Sequence, residues 1–361
     1  MKKIAIIGSG VMGRVLALTF TKNIPHLGID LYDKASLGAK DNCSYQAAGM
    51  LAPVSEVTSC GIHTYTLGAD SVQLWEELLS IRGENLVQKH NIIDKFDTLF
   101  LAHKNDVNEF DLIKNRVSFF TKQHESIKER FRNISSDDLS SLESSLMNGT
   151  FMNKGLLITN EGVINVPSFF KFTSQYFSEE SNIRFLKEEI TKIENNKIYI
   201  DEYTCEYEYV YDCRGFPIEK SKDSRLYGTR GEALIVQHKD INLKHVIRLA
   251  HPRHPLYLIP RGNGVFYVGA TSILSEDYSS ISVQSVMELL SMLLVIDKRF
   301  SEARLIKTLT SVRSTSFDDK PLIIRNMGNT SINGLSRHGY LFAPKIANDL
   351  LEEFKKDIYE N

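Results

Sequence analysis

The chain opens KIAIIGSGVMG over residues 3–13, an apolar run followed by glycines at positions 8, 10 and 13. No other stretch constrains the fold as much. Lys3 to Ile7 reads as a short buried strand, Val11 to Lys22 as a helix with apolar residues at Val11, Val15 and Leu18, and Gly28 to Asp33 as a second strand. Strand, glycine turn, helix and strand together form the unit that binds the diphosphate of a dinucleotide. Gly8 permits the tight turn, Gly10 lets backbone approach the phosphates, and Gly13 lets the helix pack on the strand. The helix start then presents unpaired N–H groups and a positive dipole end to the anion. Asp33 lies 20 residues past Gly13, where a carboxylate accepts hydrogen bonds from ribose hydroxyls. NAD and FAD share the ADP half that this unit reads, so the choice between them rests on the remainder of the chain.

At 361 residues the chain is long enough for two domains. Lysine and arginine number 43 against 45 acids, a net charge of −2, which gives no electrostatic reason to expect nucleic acid or an anionic membrane as partner. The apolar start is not read as a signal peptide, because Gly8-Ser9-Gly10 breaks it after Ile7 and Arg14 interrupts the next apolar stretch. No stretch approaches the ~18 uninterrupted apolar residues of a membrane span. A soluble, cytoplasmic protein is expected. Cys43, Cys60, Cys205 and Cys213 show no CxxC spacing and read as reduced thiols. His251 and His254 in AHPRHPLY lack a third ligand and are separated by proline, so no metal site is expected.

Two further segments carry chemistry. In NCSYQAAGMLAP, residues 42–53, Ala47, Ala48 and Gly49 leave little side chain above the backbone, so the segment can lie flat against a planar ring and offer it N–H groups. In INGLSRHGYLFAPKIANDLL, residues 332–351, Gly334 and Gly339 flank a short segment leading into a helix expected to begin near Pro344. That helix start can face an anion such as a reduced flavin. Between them, strands are expected at 95–103, 196–203 and 232–238, and a hairpin over 256–271 turns at Arg261–Gly264. Helical patterns occupy about 68–82, 105–130, 166–180 and 282–297. The polar run NISSDDLSSLESS, 133–145, reads as a surface loop between domains.

Taken in order, IIGSGVMG, AAGML, RGEALIV, YLIPRGNGVFYVGAT and NGLSRHGYLFAP resemble the glycine oxidases of the thiamine pathway, in the D-amino-acid-oxidase group of FAD flavoproteins. The resemblance runs from Lys3 to about Leu351 and implies that the diphosphate belongs to FAD. It implies an α/β (α+β) fold, with a Rossmann-like FAD-binding domain (1–90, 150–225 and 305–361) interleaved with an antiparallel-sheet substrate domain (91–149 and 226–304). By the same resemblance Val11, Met12, Asp33 and Lys34 hold the ADP end. Cys43, Ser44, Ala48, Gly49 and Met50 line the cofactor, Ile190 offers backbone to the adenine, and Gly215 allows close approach. Leu335, Ser336, His338, Gly339, Tyr340 and Leu341 lie beside the flavin ring, with the His338 backbone mattering more than its imidazole. Tyr257, Arg313 and Arg337 meet the substrate.

The expected reaction is oxidation of a small amino acid by hydride transfer from Cα, with O2 as electron acceptor. A guanidinium such as Arg313 can bind the substrate carboxylate through two parallel hydrogen bonds, and the Tyr257 phenol can add a third. Arg248, Arg253 and Arg261 are further arginines in this half of the chain, each with a solvated surface charge as the simpler role. Such a step needs orientation more than a strong base. Ser272, Ser336 and the Cys213-Arg214 pair depart from the family pattern; the two serines widen the expected range from glycine to sarcosine, N-ethylglycine or a small D-amino acid. A quinone-linked D-amino-acid dehydrogenase and a tRNA-modifying flavoenzyme are the alternatives. A homo-oligomer is consistent with the resemblance.

Overall fold

A computed structural model describes residues 2–146, 154–201, 203–216 and 225–359. The opening apolar run becomes a strand, Lys3–Ile7, in the interior of a six-stranded sheet. It pairs in parallel with Gly28–Tyr32 on one side and Tyr209–Asp212 on the other. Ile183–Leu186 and the antiparallel hairpin Leu322–Asn326/Asn329–Asn333 complete the two edges. A strand buried on both faces needs continuous apolar sequence, and Ile4, Ala5 and Ile6 are inaccessible to solvent.

One face of this sheet carries the helix Val11–Asn23 and the C-terminal helix Gly339–Tyr359, whose Phe20 and Phe354 rings meet edge-on at 5.1 Å. The C-terminal helix begins at Gly339, five residues before the expected start at Pro344. Pro344 has no N–H to give to the Tyr340 carbonyl one turn earlier. The fully buried Trp75 indole donates to that carbonyl instead, at 2.9 Å. A tertiary partner therefore lets the helix run through its proline.

The second sheet has ten strands, eight in its main path and two paired beside it, and is mostly antiparallel. Leu226–Gln237 pairs along its length with Arg304–Ser316, and the expected hairpin is present as Leu256–Pro260 and Val265–Gly269. Ile93–Ala102 pairs with Lys154–Ile164. Strands 154–164 and 304–316, grouped by the sequence with the cofactor-binding segments, thus hydrogen-bond within this other sheet. The boundary expected at 149/150 lies outside the described residues. Helix Val283–Ile296 covers one face through Leu289, Leu293 and Ile296.

Three stretches differ locally from expectation. Residues 196–203 form two strands, Lys197–Ile200 and Tyr203–Glu206, because the chain reverses at Asp201, whose φ is 41°. The polar run 133–145 holds a strand end and the helix Ser136–Leu142. The Ser135 hydroxyl accepts the Asp138 N–H and the Asp138 carboxylate accepts the Ser135 N–H, a reciprocal cap hidden in a loop-like composition. The pattern over 105–130 is a helix only to Thr121, followed by the short Glu125–Lys128 turn. Among the described residues, no helix is long and apolar enough to cross a membrane.

Candidate active site

The glycine turn has the close packing its sequence demands. Gly8 has φ of 98° and donates its N–H to the Tyr32 carbonyl at 2.7 Å. A Cβ on Gly13 would stand 1.9 Å from the Gly8 carbonyl oxygen, so no side chain is tolerated there. Asp33 closes the turn: its carboxylate accepts the Ser9 N–H at 2.7 Å and the Ser9 hydroxyl at 2.8 Å. The Val11 N–H donates to Ser44 Oγ at 3.0 Å, and the Tyr340 hydroxyl donates to the Ser44 carbonyl at 2.9 Å. A Cβ on Gly339 would touch Val11 Cγ1 at 3.1 Å. The first glycine segment, the Ala47–Gly49 segment and the C-terminal segment therefore meet at one place.

They open into a single cavity. Val11, Cys43, Ser44, Ala48, Gly49 and Met50 line one part of it, and Ser336, His338, Gly339 and Tyr340 another. Tyr257, Arg313 and Arg337 line it as well. Gly8, Gly10, Gly13, Asp33 and Lys34 belong to the adjoining turn, where Lys34 pairs with Glu189 at the surface. Met12, expected at the ADP end, and Leu341, expected beside the ring, have their side chains packed in the core beneath, which leaves their backbone to face the cavity side. Leu335 packs against the same core. The Ile190 carbonyl accepts from Arg214 at 2.8 Å, and the Gly215 carbonyl accepts from Asn333 at 2.8 Å.

The Ala47–Gly49 wall is pinned by side chains of the ten-stranded sheet and its hairpin turn. Arg261 donates to the Ala48 carbonyl at 2.5 Å, and Tyr267 donates to the Gln46 carbonyl at 3.1 Å. Arg261 is thus a structural clamp rather than a surface charge. Tyr257 stacks on Tyr267, with ring centres 6.1 Å apart. Burial pushes the Tyr257 phenol up against the opposing pull of Arg313 and Arg337, so it is a neutral hydrogen-bond donor near pH 7.

The three arginines at this end are used differently. Arg313 projects from the strand Arg304–Ser316 across Gly231 of the paired strand, where a Cβ would stand 2.0 Å from its Nη2. Its Nη1 donates to the Thr271 carbonyl at 3.1 Å, and Thr271 is itself held by both backbone groups of Glu232. The acceptor is neutral, and among the described residues no carboxylate is bonded to Arg313 to offset its charge. Arg337 instead donates to Glu56 Oε2 at 2.5 Å, and Arg248 donates to Glu56 Oε1. His338 Nε2 lies 3.0 Å from the same carboxylate, so its imidazole is engaged as well as the backbone on which the expectation placed more weight. Arg248, 8% exposed, is likewise not a surface charge.

Burial alone would raise the Glu56 carboxyl, but Arg248, Arg337 and His338 outweigh it and hold Glu56 well below the usual carboxylate range. Burial works against charge on His338 too, yet Cys60 and Glu56 raise it above its ordinary value. Glu56, Cys60 and His338 offer ligand atoms within 4.8 Å of one another, but a carboxylate already held by two guanidinium groups is a poor cation ligand. Behind this network Glu161 is fully buried and accepts the Ser55 N–H at 2.9 Å, capping the helix Pro53–Cys60 that carries Glu56.

Glu56, Gly231 and Arg248 were not legible as site residues. Glu56 had one signal, an acid in the first turn after Pro53, and Gly231 had another, a glycine inside a strand pattern.

FAD fits these residues. The turn at Gly8–Gly13 leaves no room for a side chain at Gly13, the flat Ala47–Gly49 segment forms a wall held by Arg261 and Tyr267, and both adjoin the start of a helix whose N-cap, Gly10, has no side chain. The family model described as FAD dependent oxidoreductase, DAO, matches residues 3–352. The chain is 28% identical over 349 residues to a protein of Rhizobium etli named as the thiamine biosynthesis oxidoreductase ThiO, covering 96% of this chain and 95% of the relative. Glycine oxidase from Geobacillus kaustophilus superposes with a TM-score of 0.80 at 18% identity, over 99% of this chain and 95% of that one. Glycine oxidase from Bacillus cereus gives 0.77 at 19%, over 98% and 96%. At such identities the superpositions speak to the fold, while the family match and the ThiO relative speak to kinship. This chain belongs to the DAO family of FAD-dependent oxidoreductases.

Proposed function

We propose that the protein oxidises glycine or a close relative, such as sarcosine or a small D-amino acid, and that Arg313 holds the substrate carboxylate. The observation that carries this reading is the guanidinium of Arg313, which lines the cavity opposite Gly231 and is bonded to a carbonyl rather than a carboxylate. A substrate carboxylate supplies the missing counter-charge through a planar fork. Tyr257, neutral and in the same lining, donates a further hydrogen bond to it.

Arg337 is assigned a different task. Bonded to Glu56, it orients the segment Leu335–Gly339 rather than competing for the substrate carboxylate. The Ala47–Gly49 wall and Tyr340 exclude water from one face and fix the plane against which the amine lies. When bound, FAD would supply the electron acceptor: the amine becomes an imine that water hydrolyses to the 2-oxo acid and the free amine (glyoxylate and ammonia from glycine), and O2 takes the electrons to give hydrogen peroxide. The ThiO-named relative supports a use of that imine in thiamine synthesis. We assign the six-stranded sheet to a cofactor-binding domain and the ten-stranded sheet to a substrate-binding one, with the cavity between them.

Yellow purified protein mixed anaerobically with glycine, sarcosine, N-ethylglycine and D-alanine tests the reading. Bleaching by at least one of these, with peroxide formed in step with substrate loss once air is admitted, is the expected result. Bleaching without peroxide assigns the electrons to another acceptor. No bleaching by any of them ends the proposal.

A further inference from the structure

Arg14 sits in the first turn of the helix Val11–Asn23 and is fully buried. Its Nε donates to the Ser9 carbonyl at 2.8 Å, Nη1 to Thr173 Oγ1 at 2.5 Å, and Nη2 to the Leu37 carbonyl. The guanidinium carbon lies 4.2 Å from the centre of the Phe170 ring. Every one of these partners is neutral. A guanidinium taken out of water without a bonded anion is costly.

Its position adds to that cost. The start of a helix is the positive end of the dipole, where anions are favoured and cations are not. No acid stands in this first turn to offset either charge. Burial pulls Arg14 down to about 10, against the raising influence of Tyr340 and Asp33. The Asp33 oxygens are bonded to Ser9 and Ala35, not to Arg14.

Two positive elements, the helix start and a buried guanidinium, therefore flank the Gly8–Gly13 turn, and an anion in that turn offsets both. We propose that Arg14 is an electrostatic anchor for the diphosphate of FAD, acting through its charge rather than a direct hydrogen bond. Each of its three nitrogens already donates to the protein, Nε to Ser9, Nη1 to Thr173 and Nη2 to Leu37, so its action on the anion is assigned to field rather than contact. The same fork ties the loop after Asp33 and the helix Val166–Glu179 to the glycine turn, and Ser174 joins it by donating to the Leu37 carbonyl at 3.2 Å. Arg14 thus contributes both to the charge of the cradle and to its bracing. The inference concerns the ADP half of the cofactor and is independent of which amine is oxidised.

Flavin-stripped full-length protein, as wild type, Arg14→Met and Arg14→Lys, is titrated with ADP and with adenosine by calorimetry and thermal shift. Arg14→Met is expected to weaken ADP about tenfold or more and adenosine by less than about twofold, because only ADP carries the charge. Arg14→Lys keeps the cation and is expected to bind ADP within about threefold of wild type. ADP binding in Arg14→Met that stays within about twofold of wild type, or equal losses for ADP and adenosine, overturns the proposal and leaves Arg14 a structural brace. Should Arg14→Met fail to fold, Arg14→Lys decides: an ADP loss of about tenfold with the charge retained also overturns it.

Discussion

The cofactor end of the cavity comes largely from contiguous chain: residues 3–33 supply the turn, the helix start and Asp33, and they pack on one another. The substrate end draws Gly231, Tyr257 and Arg313 from three strands of the ten-stranded sheet, Glu56 from the helix Pro53–Cys60 and Arg337 from the turn before the last helix. At the first end, shape decides what is allowed. At the second, the allocation of charge does, because Arg337 shares a bonded carboxylate with Arg248 while Arg313 is bonded to a carbonyl.

The comparison is broken most sharply at Gly13. Gly13→Val places side-chain carbon against the Gly8 carbonyl, now 1.9 Å from where a Cβ would stand. We expect colourless protein destabilised by about 3 kcal/mol or more, read from flavin absorbance and a urea midpoint. Yellow protein of wild-type stability would show that the turn is not shape-limited.

Next comes the pair of arginines. Arg313→Ala is expected to lower kcat/KM for glycine about a hundredfold or more, mainly through KM, with the bound-flavin spectrum intact. Arg337→Ala is expected to cost about tenfold, with a change in that spectrum, because it frees the segment beside the ring. The reverse ranking would mean that the carboxylate binds at Arg337.

Gly231→Ala sharpens the contrast, since it alters the position of Arg313 without altering any charge. Its methyl group falls 2.0 Å from Nη2. A rise in KM of about tenfold, with flavin binding unchanged, is the expected outcome. An unaltered KM would show that the fork can move freely.

The smallest effect is in the pH dependence of stability. Glu56 has a folded-state value well below its ordinary 4.5, so the stability it contributes is present above that ordinary value and is lost as pH falls through the folded-state value. The stability gap between wild type and Glu56→Gln should therefore narrow between about pH 5 and pH 3, followed by denaturant titration. A gap that stays constant over that range would mean that Glu56 is not held ionised by its partners.

The same division explains how much the sequence made legible. The strand Lys3–Ile7, the helix from Val11 and the hairpin about Arg261–Gly264 are coded by local period and turn chemistry, and they stand where expected. The helix Ser136–Leu142 was hidden because its composition is that of a loop, although the Ser135–Asp138 cap was present to be read. The start of the last helix was misplaced because Pro344 has a tertiary remedy in Trp75, which no local rule contains. Arg248 and Arg261 read as solvated charges because burial is not a property of a residue's neighbours in sequence.

By itself the sequence determined that a glycine turn would hold a diphosphate, since close backbone approach depends on residues a few positions apart, and that Arg313 and Arg337 were candidates for one site. Only the tertiary structure decided which of the two carries charge not matched by a bonded carboxylate. Glu56 and Arg337 stand 281 positions apart and their neutralisation depends on the distance between them in the folded chain. Sterics of a tight turn are local; compensation of buried charge is not.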